Sequence, residues 1–133
     1  MSVQTTILIV DDDKLILNTL KKRFETWDTA VLSASTPKEA KEVLSQNTPD
    51  LVILDLLLTE AEGSSGVLDF MQGLERLREV PVIVLTNLDK PELRDMLLSQ
   101  GRVKEYLIKG SLNLDDLFDK AWNYIDPLGK AKH

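Results

Sequence analysis

The chain has 133 residues, 43% of them hydrophobic, enough for one domain to bury a core without staples. It has no cysteine, which excludes disulfide frameworks, thiolate metal sites and cysteine nucleophiles, and its formal charge of −6 argues against a nucleic-acid surface built to neutralise phosphates. The polar first residues lack the pattern of a signal peptide and no apolar run reaches membrane-spanning length, so a soluble, cytoplasmic chain with neither direct nucleic-acid binding nor membrane insertion is expected.

The first apolar run, 7–10, ends in Asp11-Asp12-Asp13. Ile16, Leu20, Phe24 and Trp27 then recur at helical spacing, with Lys21, Lys22 and Arg23 read as part of the solvated face. After the run 30–33, Thr36 and Glu39 form a capping box with Pro37 at the first helical position, opening a helix that carries Ala40, Val43 and Leu44. The run 51–54 leads directly into Asp55. A loop from 58 to 65 follows, in which Glu60 and Glu62 read as solvated acids, and then a helix from about Gly66 to Glu79 with Phe70, Leu74 and Leu77 inward.

The run 82–85 ends at Thr86, and a helix from Pro91 to Gln100 is stopped by Gly101. The run 106–108 ends at Lys109. Asn113 then caps a last helix whose apolar stripe is Leu114, Leu117, Phe118, Ala121, Trp122 and Ile125, with Pro127 beyond it. Residues 1–126 read as one domain and 127–133 as a tail or the start of a linker. The single histidine, His133, is the last residue and leaves no internal histidine for base catalysis.

Unbroken apolar strands alternating with helices mark a parallel sheet covered on both faces. In such a sheet, ligands bind outside the carboxyl ends of the strands where the strand order reverses. Acids follow strands one and three, Thr86 ends strand four and Lys109 ends strand five, whereas strand two ends in the uncharged Ser33-Ala34-Ser35. The order 2-1-3-4-5 sets strand two at the edge and gathers the other four ends round one crevice. Clustered carboxylates repel, and a divalent cation held by oxygen ligands relieves that; Mg²⁺ suits it, or Mn²⁺ in its place. Lys109 and the Thr86 hydroxyl suit an anion with three equatorial oxygens, so the chemistry expected is phosphoryl transfer, which relies on positioning and charge neutralisation.

Ile-Val-Asp11-Asp12-Asp13, Ile-Leu-Asp55, Val-Leu-Thr86 and Tyr106-Leu-Ile-Lys109, in that order over about Thr6 to Ile125, resemble the receiver domains of response regulators. The resemblance implies a flavodoxin-like doubly wound fold with five parallel strands and five helices. It implies that Asp55 is the phosphoacceptor, loaded by a histidine kinase or a histidine phosphotransfer protein. Asp11, Asp12, Asp55 and the backbone carbonyl of Leu57 would hold the metal, Lys109 would pair with Asp55 and then with its phosphoryl group, and Thr86 and Tyr106 would form the switch. A downstream protein would meet the face of helix four, strand five and helix five, and a homodimer is compatible with the same scheme. The chain would then be a phosphoacceptor switch that assists its own phosphorylation and dephosphorylation, not a turnover enzyme.

The sequence departs from the family at several points. Thr59 stands where a proline is common, the segment before Gly66 implies an insertion of about three residues, and Gly110 replaces the proline that commonly follows the lysine. Leu57 and Leu88 occupy the two positions that often tune acyl-phosphate lifetime. Neither can orient a water by hydrogen bonding, so a long-lived phosphoryl state is expected. Two other readings use the same residues. A haloacid-dehalogenase-type phosphatase would draw on Asp11, Asp13, Thr86 and Lys109, but no acidic pair follows Lys109 at a strand end and the chain has no room for a substrate-covering cap. A receiver-like interaction module would dock without phosphorylation.

Overall fold

The computed structural model describes residues 5–26, 28–56, 63–101 and 103–126, with the backbone alone for 63–65. Five strands, β1 (Thr5–Val10), β2 (Thr29–Ala34), β3 (Leu51–Leu54), β4 (Val82–Thr86) and β5 (Glu105–Ile108), form one sheet in the order β2-β1-β3-β4-β5. Every neighbouring pair is parallel. The helices are α1 (Lys14–Phe24), α2 (Pro37–Gln46), α3 (Gly63–Gly73), α4 (Pro91–Ser99) and α5 (Leu114–Ile125). The expected topology and element count hold; β3 matches its apolar run, and the other strands are longer than theirs because polar flanks such as Thr5, Thr29 and Thr86 still join the ladder.

Alternate residues along each strand enter two separate cores. Leu8, Val10, Val52, Leu54, Val82 and Val84 pack with Ala40, Leu44, Val67, Leu68, Met71 and Leu97 of α2, α3 and α4. Ile7, Ile9, Ile53, Ile83 and Leu85 pack with Leu20, Phe24, Leu117 and Ala121 of α1 and α5. Right-handed crossovers place helices this way when the strand order reverses between β1 and β3. Among the described residues no helix is long and apolar enough to cross a membrane.

The caps were legible. Thr36 Oγ1 accepts from the backbone N–H of Glu39, although the Glu39 carboxylate takes the hydroxyl of Ser35. Asn113 caps α5, and Gly101 takes the left-handed φ of 74° after α4.

The third helix differs from its expectation. It begins at Gly63 and stops at Gly73, and its buried residues are Val67, Leu68 and Met71; Phe70 and Leu74 are only half-buried. Gly73 is a poor helix residue, Leu74 is extended, and a separate 3₁₀ turn over Glu75–Leu77 carries Leu77 into the core. That turn also presents Arg76, whose guanidinium donates to the carbonyls of Leu44 and Asn47 and to the Thr48 hydroxyl, satisfying the open end of α2. Trp27, Leu57, Thr59, Glu60, Glu62 and the tail from Pro127 to His133 lie outside the described residues.

Candidate functional site

Strand register sets the site. Val10 is level with Leu54, so the next residues, Asp11 and Asp55, stand side by side where the strand order reverses. The backbone N–H of Asp55 donates to the carbonyl of Val10 (2.9 Å) and that of Asp11 to the carbonyl of Ala34 (3.0 Å), extending the ladders one residue past the strands. Thr86 is level with Ile108, and Lys109 follows at once in a 3₁₀ turn over Lys109–Ser111. The structure thus brings Asp11, Asp55, Thr86 and Lys109 to one end of the sheet.

All four are withdrawn from solvent: Asp11 is 2% exposed, Asp55 4%, Thr86 0% and the Lys109 side chain 10%. Lys109 Nζ lies 2.7 Å from Asp11 Oδ2 and 2.9 Å from Asp55 Oδ2. The other oxygen of Asp11 accepts from the backbone N–H of Asp13 at 2.8 Å, fixing the carboxylate from both sides. Asp13 itself turns away and caps α1 through the N–H groups of Leu15 and Ile16. Asp12 is exposed, yet one carboxylate oxygen each from Asp11, Asp12 and Asp55 lie within 4.8 Å of one another.

Among the described residues, three carboxylates stand with one ammonium, so negative charge is in excess. The two residues at the centre respond in a way that fits this imbalance. Burial pushes the Asp11 carboxyl above its ordinary value, and neither the Lys109 hydrogen bond nor the Asp13 N–H fully offsets it, while the Asp55 charge adds to it. For Lys109, burial opposes the charge, but hydrogen bonds and charges from Asp11 and Asp55 outweigh it and raise the pKa, so the ammonium is secure. The cation is over-compensated and the Asp11 carboxylate is under-compensated. The donor set fits a hard divalent cation: Mg²⁺ binds oxygens at ~2.1 Å, so ligands on opposite sides of it are about 4.2 Å apart, close to the spread of these carboxylates. Leu57, whose carbonyl was the fourth expected ligand, lies outside the described residues.

The Thr86 hydroxyl accepts the backbone N–H of Leu88 at 3.2 Å. Tyr106, half-buried against the core beneath α4, donates its hydroxyl to the carbonyl of the same Leu88. Burial, followed by the charge of Asp89, raises the Tyr106 pKa and keeps the phenol a donor. Both expected switch residues therefore hold one residue of the β4–α4 loop. This link was missed in the sequence, because a contact to a backbone carbonyl leaves no trace in the identity of the residue that supplies it.

Known proteins resemble this chain in sequence and in fold. A probable transcriptional regulator, ycf27, of Porphyridium aerugineum is 33% identical over 103 residues, which is 77% of this chain and 41% of that protein. A protein-glutamate methylesterase/protein-glutamine glutaminase of Paraburkholderia xenovorans is 33% identical over 94% of this chain and 34% of its own length. The chain thus spans well under half the length of these curated relatives. Among solved structures, a two-component response regulator from Clostridium difficile superposes with a TM-score of 0.81 at 25% identity, covering 95% of this chain and 99% of that one. The non-phosphorylated HemR receiver domain of Leptospira biflexa gives 0.81 at 26%, covering 98% of this chain and 100% of that one. The response regulator receiver domain model matches residues 7–121, which removes the haloacid-dehalogenase reading and shows that the chain belongs to the receiver domain family of two-component response regulators.

Proposed function

We propose that Asp55 accepts a phosphoryl group from a histidine kinase or a histidine phosphotransfer protein, and that the resulting acyl phosphate changes the surface offered to a downstream protein. The observation that carries this reading is the buried Asp55 carboxylate, 2.9 Å from Lys109 Nζ and grouped with Asp11 and Asp12. A carboxylate oxygen of Asp55 attacks the phosphorus of a phosphohistidine, the O–P bond forms as the N–P bond breaks, and the imidazole leaves with the electron pair and takes up a proton. No acid or base from this chain is needed, in keeping with the lack of an internal histidine.

Asp11, Asp12 and Asp55, with the Leu57 carbonyl, would hold Mg²⁺ or Mn²⁺, which when bound supplies charge neutralisation for the transferring phosphoryl oxygens. Lys109 neutralises Asp55 beforehand and a phosphoryl oxygen afterwards. The Thr86 hydroxyl accepts from Leu88 and retains its own proton to donate to that group. With Leu57 and Leu88 both apolar, hydrolysis lacks a side chain to orient water, and the phosphoryl state is long-lived.

Thr86 and Tyr106 carry the change to the face of α4, β5 and α5, where Met96 and Leu98 of α4 are already exposed. That face would receive the downstream partner or a second copy of the chain, and the site acts as a switch in the cytoplasm without turnover of a substrate. Incubation with Mg²⁺ and acetyl phosphate or phosphoramidate, followed by intact mass, tests the reading. One added phosphoryl group is expected, absent in Asp55→Asn. No addition under any condition would favour a docking module that works without phosphorylation.

A further inference from the structure

Gly73 and Gly110 stand where the folded backbone does not ask for glycine. A Cβ added at either would meet nothing within 4 Å, and among the described residues only Gly101 has a positive φ. Glycine leaves the unfolded chain more freedom than alanine does, so it lowers stability wherever the folded backbone suits both. Gly73 lies at the end of α3. Gly110 lies in the 3₁₀ turn over Lys109–Ser111, directly after the lysine that bridges Asp11 and Asp55. The turn that sets Lys109 in place is therefore looser than its shape requires.

That turn is bounded on both sides. Ile108 is held in the ladder level with Thr86, and Leu112 packs against the core shared with α1 and α5, just before Asn113 caps α5. A backbone bond from the Leu112 N–H to the Lys109 carbonyl, at 3.1 Å, closes the turn, and Gly110 and Ser111 are exposed. Rotation between the two anchors thus moves no core side chain. The Lys109 side chain is itself enclosed, at 10% exposed, with Nζ 2.7 Å from Asp11 Oδ2 and 2.9 Å from Asp55 Oδ2. A large shift of its ammonium needs help from the backbone.

We propose that Gly110 is a positioning residue, the hinge on which Lys109 turns from its bridge between Asp11 and Asp55 toward the oxygens of an incoming phosphoryl group. This rests on the reading of Asp55 as phosphoacceptor. As the O–P bond forms, negative charge leaves the Asp55 carboxylate for oxygens beyond the phosphorus, and the ammonium follows it. Glycine absorbs the change of φ and ψ that this movement puts into the turn, in the way that hinge residues at the ends of elements do. The looseness that lowers stability in the resting state raises the rate of phosphoryl uptake.

The test compares wild type, Gly110→Ala and Gly73→Ala in thermal unfolding and in phosphoryl uptake from acetyl phosphate with Mg²⁺, acetate being the leaving group, followed by intact mass. Both alanine variants should melt about 2–4 °C above wild type. Only Gly110→Ala should take up the phosphoryl group more slowly, by about two- to fivefold, the freedom that alanine withholds. Amide hydrogen exchange at Leu112, whose N–H closes the turn, gives a readout that added stability alone would not supply: phosphorylation should speed it in wild type and much less in Gly110→Ala.

Uptake at the wild-type rate in Gly110→Ala, equal slowing in Gly73→Ala, or Leu112 exchange that phosphorylation leaves unchanged in wild type overturns the hinge and leaves Asp55 as phosphoacceptor. A lower melting temperature in Gly110→Ala removes the premise that the folded turn accepts a side chain, and the hinge with it. Failure of wild type to take up any phosphoryl group overturns the phosphoacceptor reading and the hinge together.

Discussion

Strand β5 has an ion cluster at each end, and the two obey different physics. At its carboxyl end, Lys109 bridges Asp11 and Asp55, and all three side chains are nearly removed from water. At its amino end, Glu105 accepts the Tyr124 hydroxyl and lies 3.9 Å from Lys120, which pairs at 3.0 Å with Asp116, and these charged side chains are 27%, 35% and 56% exposed. The exposed cluster is screened, and its ion pairs contribute little each. The buried one keeps an excess of negative charge at real cost, and such an arrangement persists where something else supplies the missing positive charge. Similar residue types thus fasten a helix at one end and gather buried carboxylates round a lysine at the other.

The largest way to separate them is to remove each lysine. Lys109→Met should destabilise the metal-free protein by about 3 kcal/mol, because it leaves Asp11 and Asp55 buried without a counter-charge. Lys120→Met should cost well under 1 kcal/mol. Urea unfolding at neutral pH measures both, and equal losses would erase the distinction. The Lys109 pKa is raised in the fold, so its contribution is complete below the ordinary value of 10.5 and disappears as pH rises through the folded value.

Next in size is the response to metal. The Asp11 carboxyl is raised, so the folded state holds its proton more tightly than the unfolded chain; stability from this group is greatest in acid and is lost as pH rises above the ordinary 3.8 through the folded value. Asp11→Asn should therefore be at least as stable as wild type at neutral pH without metal. Mg²⁺ at a hundred times its Kd should stabilise wild type by ~2.7 kcal/mol and the variant far less. Thermal unfolding with and without Mg²⁺ shows this, and an undiminished response in Asp11→Asn would remove Asp11 from the metal shell.

How much of this was legible beforehand depends on what kind of contact each feature makes. Asp11, Asp55, Thr86 and Lys109 could be found because parallel strands deliver the residues that follow them to one edge, and the uncharged end of β2 indicated which strand stood outside. The third helix was misjudged because Leu74 and Leu77 continue a helical spacing across Gly73, and the spacing alone does not show that the chain leaves the helix there and re-enters the core by a 3₁₀ turn. The role of Arg76 and the Leu88 clamp were invisible for another reason: each is a side chain bound to backbone carbonyls, and every residue type offers the same carbonyl.

The smallest effect belongs to the amino end of β5, where the comparison is most exposed to failure. Tyr124 of α5 donates to the Glu105 carboxylate and, at 3.4 Å, to the Lys104 carbonyl, fastening the last helix to the edge strand. Burial first, then the hydrogen bond and charge of Glu105, push its phenol up to about 12 from an ordinary 10.0. The folded protein therefore keeps a proton that the unfolded chain releases, so the stabilisation is complete below pH 10.0 and is lost as pH rises toward about 12. Tyr124→Phe should cost about 1 kcal/mol at neutral pH and flatten the alkaline limb of the stability curve. Glu105→Gln should bring the tyrosine titration, followed by ultraviolet absorbance, back toward its ordinary value. Neither change touches the crevice, so Asp55 should accept and lose its phosphoryl group at wild-type rates in both variants. An altered rate would mean that the two ends of β5 are mechanically joined, with α5 held by Tyr124 as the lever between them.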